Sequence, residues 1–246
     1  MTPAEAAAAI GRPIGSIGSR FMFDPTTYSD AAEFGYNGLD FYFAGRAGVL
    51  GDVAADVASA ALGFFDVDTV RTLWDQGCAV AGTRVAAERF GAACAQWGRD
   101  HFGGGVDYDE LNRLAALVIA AAPAAGFPLF AGWRSVPLAA DAKGAACQQL
   151  NTLRELRGGA HLVAVLAAGV TPFEAVLAKG GVANAQLFGY PEPYPDVAEL
   201  TARTTDALAV AETTTDHLVA PALAVLDEPD RDRFVDLVGA TRRALI

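Results

Sequence analysis

Positive charge is scarce in this chain: 18 lysines and arginines stand against 29 acids in 246 residues, a net charge of −11. A field of that sign repels phosphate backbones and anionic membrane surfaces, so binding to nucleic acid would need a local basic patch. Cysteine is also scarce. Cys78, Cys94 and Cys147 are widely spaced, odd in number and form no C-x-x-C, which argues against a disulfide framework and suits reduced thiols in the cytoplasm. No apolar run reaches the ~20 residues that cross a bilayer, and the start, MTPAEAAAAIGRP, lacks the basic segment and apolar stretch of a secretory signal. The expectation is a cytoplasmic protein with no membrane partner. Runs of β-branched residues with period two are missing as well, which leaves an all-α, multi-helix body. No residue pattern assigns a cofactor or a metal.

What the chain has is apolar residues, 52% of the total, and alanine- and leucine-rich segments punctuated by glycine and proline. Thr2, Pro3 and Glu5 form a helix start, with a short helix over Ala6 to Ile10. The glycine-rich GRPIGSIGSR, Gly11 to Arg20, follows no strand and lacks G-x-G-x-x-G and G-K-S/T, so it reads as a plain connection, not a phosphate loop. Asp30 with Glu33 repeats the capping pattern and opens a helical region through GYNGLDFYFAGRAG. Further helices are predicted at Asp52 to Leu62, Asp68 to Val80, Thr83 to Phe102, Tyr108 to Ala122, Ala142 to Arg157, Ala160 to Ala168, Pro172 to Lys179, Asp196 to Leu226 and Asp230 to Leu245. The acids of FFDVDTV, GVDYDEL and DEPDRDRF sit at helix starts, where they cap. PEPYPDV, Pro191 to Val197, is a stiff linker. It divides a helical body, residues 1–190, from a C-terminal helical pair, residues 196–246, whose long Leu200 to Leu226 helix suits a homodimer contact.

The most polar feature lies inside a run that otherwise reads as buried helix, NTLRELRGGAHLVAVLAAGV. At ~100° per residue, Leu150, Arg154, Arg157 and His161 share one narrow stripe, while Glu155 points well away from it. Those three polar groups have no acid at i+3 or i+4. Burial therefore requires carboxylates from elsewhere, with Asp40, Asp52 and Asp56 as candidates, or a bound anion; a stripe facing solvent requires neither. Trp133 and Arg134 in AGWRSVP add an aromatic and a guanidinium in a proline-flanked loop, a pairing that can line a pocket or simply plug the edge of a core. Cys94 and His101 share a helix face but lack a third metal ligand.

DFYFAGRAGVLG at Asp40 to Gly51 and LRELRGGAHLVAVL at Leu153 to Leu166 resemble an actinobacterial family of helical proteins, often labelled helix-turn-helix proteins. The resemblance extends through most of the chain, including GFPLFA at Gly126 to Ala131. Against the family's usual G-Y-F-A-x-R-A-x-x-L-G and L-R-E-H-R-G-D-G-H runs, Arg46, Arg154, Glu155, Arg157, Gly158 and His161 match. Leu156 replaces a histidine and Gly159 an aspartate, so chemistry that used those two groups is not carried over. The C-terminal part, Leu200 to Leu226, is distantly similar to the helix after the wing in winged-helix regulators of the MarR type, but too little chain precedes it for a complete winged helix.

The family label can be tested on residues. His161 to Gly181 has the spacing of a helix-turn-helix, with Gly169 at the turn and Thr171 and Pro172 opening the second helix. A reading helix needs Arg, Lys, Asn or Gln at base edges, and PFEAVLAK offers only Glu174 and Lys179, so DNA is disfavoured as a partner. Three classes follow. The first is a small-molecule-binding or accessory protein, with Tyr42, Arg46, Trp133, Arg154, Arg157 and His161 around a pocket for a small anionic ligand. The second is a helix-turn-helix transcriptional regulator, or a relative that lost DNA binding. The third is an enzyme using His161 as acid or base.

Overall fold

The computed structural model describes residues Met1–Ile246, and its order of elements is all-α. The helices are α1 (Pro3–Phe23), α2 (Thr26–Glu33), α3 (Leu39–Ala47), α4 (Ala55–Leu62), α5 (Val67–His101), α6 (Tyr108–Ala121), α7 (Pro128–Trp133), α8 (Ala142–Ala167), α9 (Pro172–Leu187), α10 (Val197–Leu223) and α11 (Glu228–Arg243), with a short 3-10 turn at Gly48–Leu50. No strand forms; the only β pairing is an isolated bridge between Phe102 and Leu245.

Local signals account for most helix ends. Thr2 and Glu5 form a reciprocal capping box on α1, and Thr171 and Glu174 form one on α9. Asp66, Asp107, Asp141, Asp196 and Asp227 each accept a backbone N–H at the start of the helix that follows. In α5, Gly82 takes φ 79 and ψ 165, so the helix breaks between the two predicted segments.

Several boundaries differ from expectation: α9 runs past the predicted Lys179 to Leu187, and α7 forms where Trp133 was expected in a loop. The Gly11 to Arg20 connection is helix: α1 runs unbroken to Phe23 with Pro13 inside it. Pro13 leaves the Ala9 carbonyl without its helical donor, and Ala9 is exposed to water, which can supply one. The gap placed at Gly158 and Gly159 is likewise helical, making α8 one element of 26 residues. Asp30 and Glu33 lie within α2, which ends at Glu33; a turn intervenes, and α3 starts at Leu39, with Asp40 bonded back to the Asn37 N–H at 2.7 Å.

α8 runs through the middle of the molecule, packed against α1, α5, α6, α7 and α10. Ten consecutive residues, Gly144 to Leu153, are buried, followed by Glu155 and Leu156. α3 is buried from Asp40 to Ala47 and lies against α5 so closely that a Cβ on Gly77 would stand 2.4 Å from the Asp40 carbonyl oxygen. The largest core cluster unites α1 residues such as Ile14 and Phe21 with Phe90 of α5, Leu150 of α8, Leu223 of α10 and Phe234 of α11. Met1 ties the two ends of the chain together: its ammonium meets Glu228 at 3.1 Å and Asp232 at 2.9 Å.

Candidate functional site

Between α1, α3, α8 and α9 lies a cavity of about 630 Å³. Most of its lining is apolar, but the stripe read from the sequence comes to its wall: Arg154, Arg157 and His161 all line it, with Tyr42 and Arg46 of α3. Trp133 does not. It is buried at the end of α7, and its indole N–H donates to the Arg46 carbonyl at 2.9 Å, so it holds the backbone behind the site instead of facing a ligand. Glu155, Lys179, Asn184 and the aromatics Phe64, Phe65 and Phe127 also line the space.

Glu155 corrects the helical-wheel reading. Its angular offset from the stripe does not take it away from the site, because α8 is enclosed by other helices on nearly every side. Glu155 is 1% exposed and meets Arg46 in a two-bond fork, Nε to Oε1 at 2.8 Å and Nη2 to Oε2 at 2.9 Å. Arg46 donates a third bond to the Tyr42 hydroxyl at 2.7 Å. Arg154 reaches the same Glu155 Oε1 at 3.1 Å. Burial works to raise the Glu155 carboxyl, but Arg46 and then Arg154 outweigh it and hold the group below the usual carboxylate range. The result is a buried charged fork joining α3 to α8, with one further guanidinium on the cavity side.

The proposed acid partners are also corrected. Asp40 caps Asn37, Asp52 accepts from Thr83 at 2.7 Å, and Asp56 pairs with Arg71 at 2.6 Å, so none serves the stripe. The carboxylates come from α10. Arg157 Nη2 donates to Glu212 at 2.6 Å, while Asp216 stands 3.8 Å off, too far for a hydrogen bond. Arg157 Nε and Asp216 Oδ1 are buried without hydrogen-bond partners. Burial pushes the Asp216 carboxyl upward, whereas for Glu212 the bond and charge of Arg157 overcome burial and hold it low.

His161 stacks on Phe64 with ring centroids 5.7 Å apart, and its Nδ1 lies 3.0 Å from the Thr215 hydroxyl. That hydroxyl spends its own proton on the Ala211 carbonyl at 2.7 Å. The hydrogen-bond pattern therefore assigns the imidazole proton to Nδ1 and leaves Nε2 bare. Burial lowers the His161 pKa; Glu212 opposes this, and Arg157 and Lys179 reinforce it. The ring is neutral at pH 7, with Nε2 3.9 Å from the Glu212 carboxylate.

Gly11 and Gly15, in the segment read from the sequence as a connection, add to the wall. A Cβ on Gly11 would come 2.6 Å from Arg157 Nε, and one on Gly18 would come 2.3 Å from Arg154 Cδ. Both arginine side chains thus lie along the glycine face of α1. Spacing i, i+4, i+7 at Gly11, Gly15 and Gly18 was the available signal, readable only once the segment is known to be helical.

α8 and α9 meet at 107° across a turn holding Gly169 at φ 74, the geometry of a helix-turn-helix corner. The first half of the second helix packs inward, while Lys179, Val182, Gln186 and Leu187 are exposed. Ala175, Val176 and Lys179 line the cavity, Glu174 pairs with Arg203 of α10, and Phe173 packs on Tyr190 with centroids 4.7 Å apart. No single helix is long and apolar enough to cross a membrane.

The profile of a family described as the helix-turn-helix family matches residues 7–246. No curated protein and no solved structure matches the chain.

Proposed function

The chain belongs to this helix-turn-helix family, and we propose that it works as a small-molecule-binding protein whose half-open cavity takes an anionic, partly apolar ligand. The supporting observation is the cavity's charge in a chain of the opposite sign. Arg46, Arg154, Arg157 and Lys179 line it against a single lining carboxylate, Glu155, with Glu212 and the burial-raised Asp216 behind Arg157. Lys179 makes no ion pair, while Arg154 and Arg157 are a quarter exposed and keep donors for a ligand. The chain as a whole carries −11. A volume of about 630 Å³ suits a metabolite-sized ligand, and the aromatic lining suits an apolar body. His161, neutral with Nε2 bare, supplies an acceptor for a ligand O–H or N–H.

Titration calorimetry with decanoate, decanol and decylammonium, together with 1-anilinonaphthalene-8-sulfonate fluorescence, tests this. The expected result is binding of decanoate and the sulfonate, weaker binding of decanol and none of decylammonium. Absence of binding by all four, or equal binding of the cation, refutes it.

A second reading rests on the 107° corner between α8 and α9 and on the family's description: a regulator that contacts DNA. It must contend with a second helix whose glutamate is paired with Arg203 of α10 and whose one lysine, though exposed, borders the cavity. A gel shift against random genomic fragments at low salt discriminates, because phosphate contacts are strongest there.

A further inference from the structure

Two glycines on facing helices lie in the cavity wall with nothing to explain them as packing. Gly15 is inside α1 and Gly158 inside α8, and a Cβ built on either would meet no atom within 4 Å. Glycine weakens a helix interior relative to alanine, so a close neighbour normally accounts for it. The neighbouring glycines follow that rule: Gly11 and Gly18 accommodate Arg157 and Arg154, and Gly159 accommodates Phe127, whose Cδ1 would be 2.9 Å from its Cβ. Gly15 sits between the two arginine-bearing positions on its helix, and Gly158 one turn beyond Arg154 on the other. Neither touches a side chain, and both line the cavity.

Resting on the anionic-ligand reading above, we infer that the space over Gly15 and Gly158 is the head-group subsite, and that it takes a carboxylate or similar small oxyanion between Arg154 and Arg157. Gly11 and Gly18 are seven residues apart, so the two arginine side chains cross α1 about 10 Å apart and bracket an opening the size of one head group. Each arginine already spends a donor on a carboxylate, Arg154 on Glu155 and Arg157 on Glu212, and each keeps further guanidinium N–H groups, while the Arg157 Nε is buried against Gly11. A head group there meets two guanidinium edges, with Lys179 of α9 also in the cavity wall. One apolar path from there runs along α1. From Gly15, α1 leads past Met22 to Phe23, and the cavity continues there along Tyr28 and Leu39, where Phe23 is 65% and Leu39 49% exposed. From Gly15 to Phe23 is about 12 Å of helix. The ligand class this describes is a slender amphipathic acid, an unbranched or planar apolar body of roughly that length ending in one small oxyanion.

The test uses the full chain and the double variant Gly15→Ala/Gly158→Ala, with decanoate and 1-anilinonaphthalene-8-sulfonate as probes. Because both methyl groups enter open space, the melting temperature of the unliganded variant should rise by about 2 °C or more. Because the same methyl groups occupy the head-group space, decanoate should bind at least fivefold more weakly. A rise in melting temperature with affinity within twofold of the parent protein overturns the subsite, and so does a fall in melting temperature, since the positions would then be limited by packing. Failure of the parent protein to bind either probe refutes the ligand reading itself. Chain length gives the second measurement: affinity should climb from hexanoate to decanoate and level off beyond dodecanoate, and a climb that continues unchanged to hexadecanoate overturns the stated length.

Discussion

Replacing Glu155 with glutamine should be among the most destabilising single changes available in this chain. The substitution keeps the shape and removes the charge, leaving Arg46, 7% exposed, with its guanidinium uncompensated. The two bonds of 2.8 and 2.9 Å from Arg46 to Glu155 are charge-assisted and parallel; glutamine can accept only one of them and turns an N–H toward the other. Breaking a buried pair by removing one partner costs about 3–5 kcal/mol, which for a chain of this size lowers the melting temperature by roughly 6–20 °C. Arg154 softens the loss little, because it is a cation too and gave its own bond to the same oxygen. Arg46→Met should cost a similar amount by stranding Glu155. The paired change Arg46→Met/Glu155→Leu removes both buried charges and fills the space, so it should cost less than the sum of the singles by at least 2 kcal/mol. Urea unfolding at pH 7 followed by circular dichroism gives all four stabilities. If each single change costs under 1 kcal/mol, or if the double equals the sum, the fork is not the electrostatic joint between α3 and α8 described here. The same pair predicts acid sensitivity. The folded Glu155 carboxyl titrates below its ordinary value, so its contribution is present above that value and is lost as pH falls through the folded one.

Four further outcomes follow from the geometry. His161 has a folded pKa below 6.5, so the unfolded chain takes up that proton first and stability should decline as pH drops below 6.5; of the nearby carboxylates, Glu212 keeps its charge through that window and Asp216 acts in the opposite direction nearer its own titration. His161→Gln should flatten the stability curve between pH 6.5 and 5, and an unchanged slope would count against burial as the cause. Gly77→Ala should destabilise by about 1–3 kcal/mol or more, since its Cβ would meet the Asp40 carbonyl oxygen at 2.4 Å and the Ala44 methyl at 2.6 Å, both held by helix; a neutral effect in urea unfolding would mean α3 can withdraw. Thiol titration of the native protein at pH 7 should be slow at all three cysteines, because Cys94 and Cys147 are 1% and 2% exposed and burial pushes the Cys78 thiol up to about 11, with three thiols released in denaturant; rapid labelling of two or more thiols in the native state would contradict this. No gel shift is expected at 50 mM salt with genomic fragments, and a salt-sensitive complex would favour the DNA reading over an internal ligand site.

What could be read from the residues and what could not divide along a physical line. Helix starts were readable because a capping aspartate or threonine acts on its own backbone within three residues, as at Thr2, Asp107 and Thr171. The all-α class was readable for the same reason, since the period of apolar residues is a local property. Arg154, Arg157 and His161 were placed together because one helix turn sets their angles. The failures are all cases where a partner from elsewhere decides. Gly11 to Arg20 looked like a connection because glycine carries a helix penalty in isolation; only the arginine side chains lying on it, contributed by a helix some 140 positions later, make a glycine face useful. Glu155 was set apart by its angle, yet α8 is enclosed on so many sides that angle no longer separates inside from outside; Glu155 serves Arg154 from the same helix, and Glu212 of α10 serves Arg157. Trp133 was grouped with the site by residue type, whereas its one polar atom is committed to the Arg46 backbone. Arg46 and Glu155 join α3 to α8 through a buried ion pair. Arg154 and Arg157, one layer outward, are only partly paired, and beside them the two helices turn glycine toward empty space, so the charge that joins the halves of the molecule also fixes where a ligand would meet them.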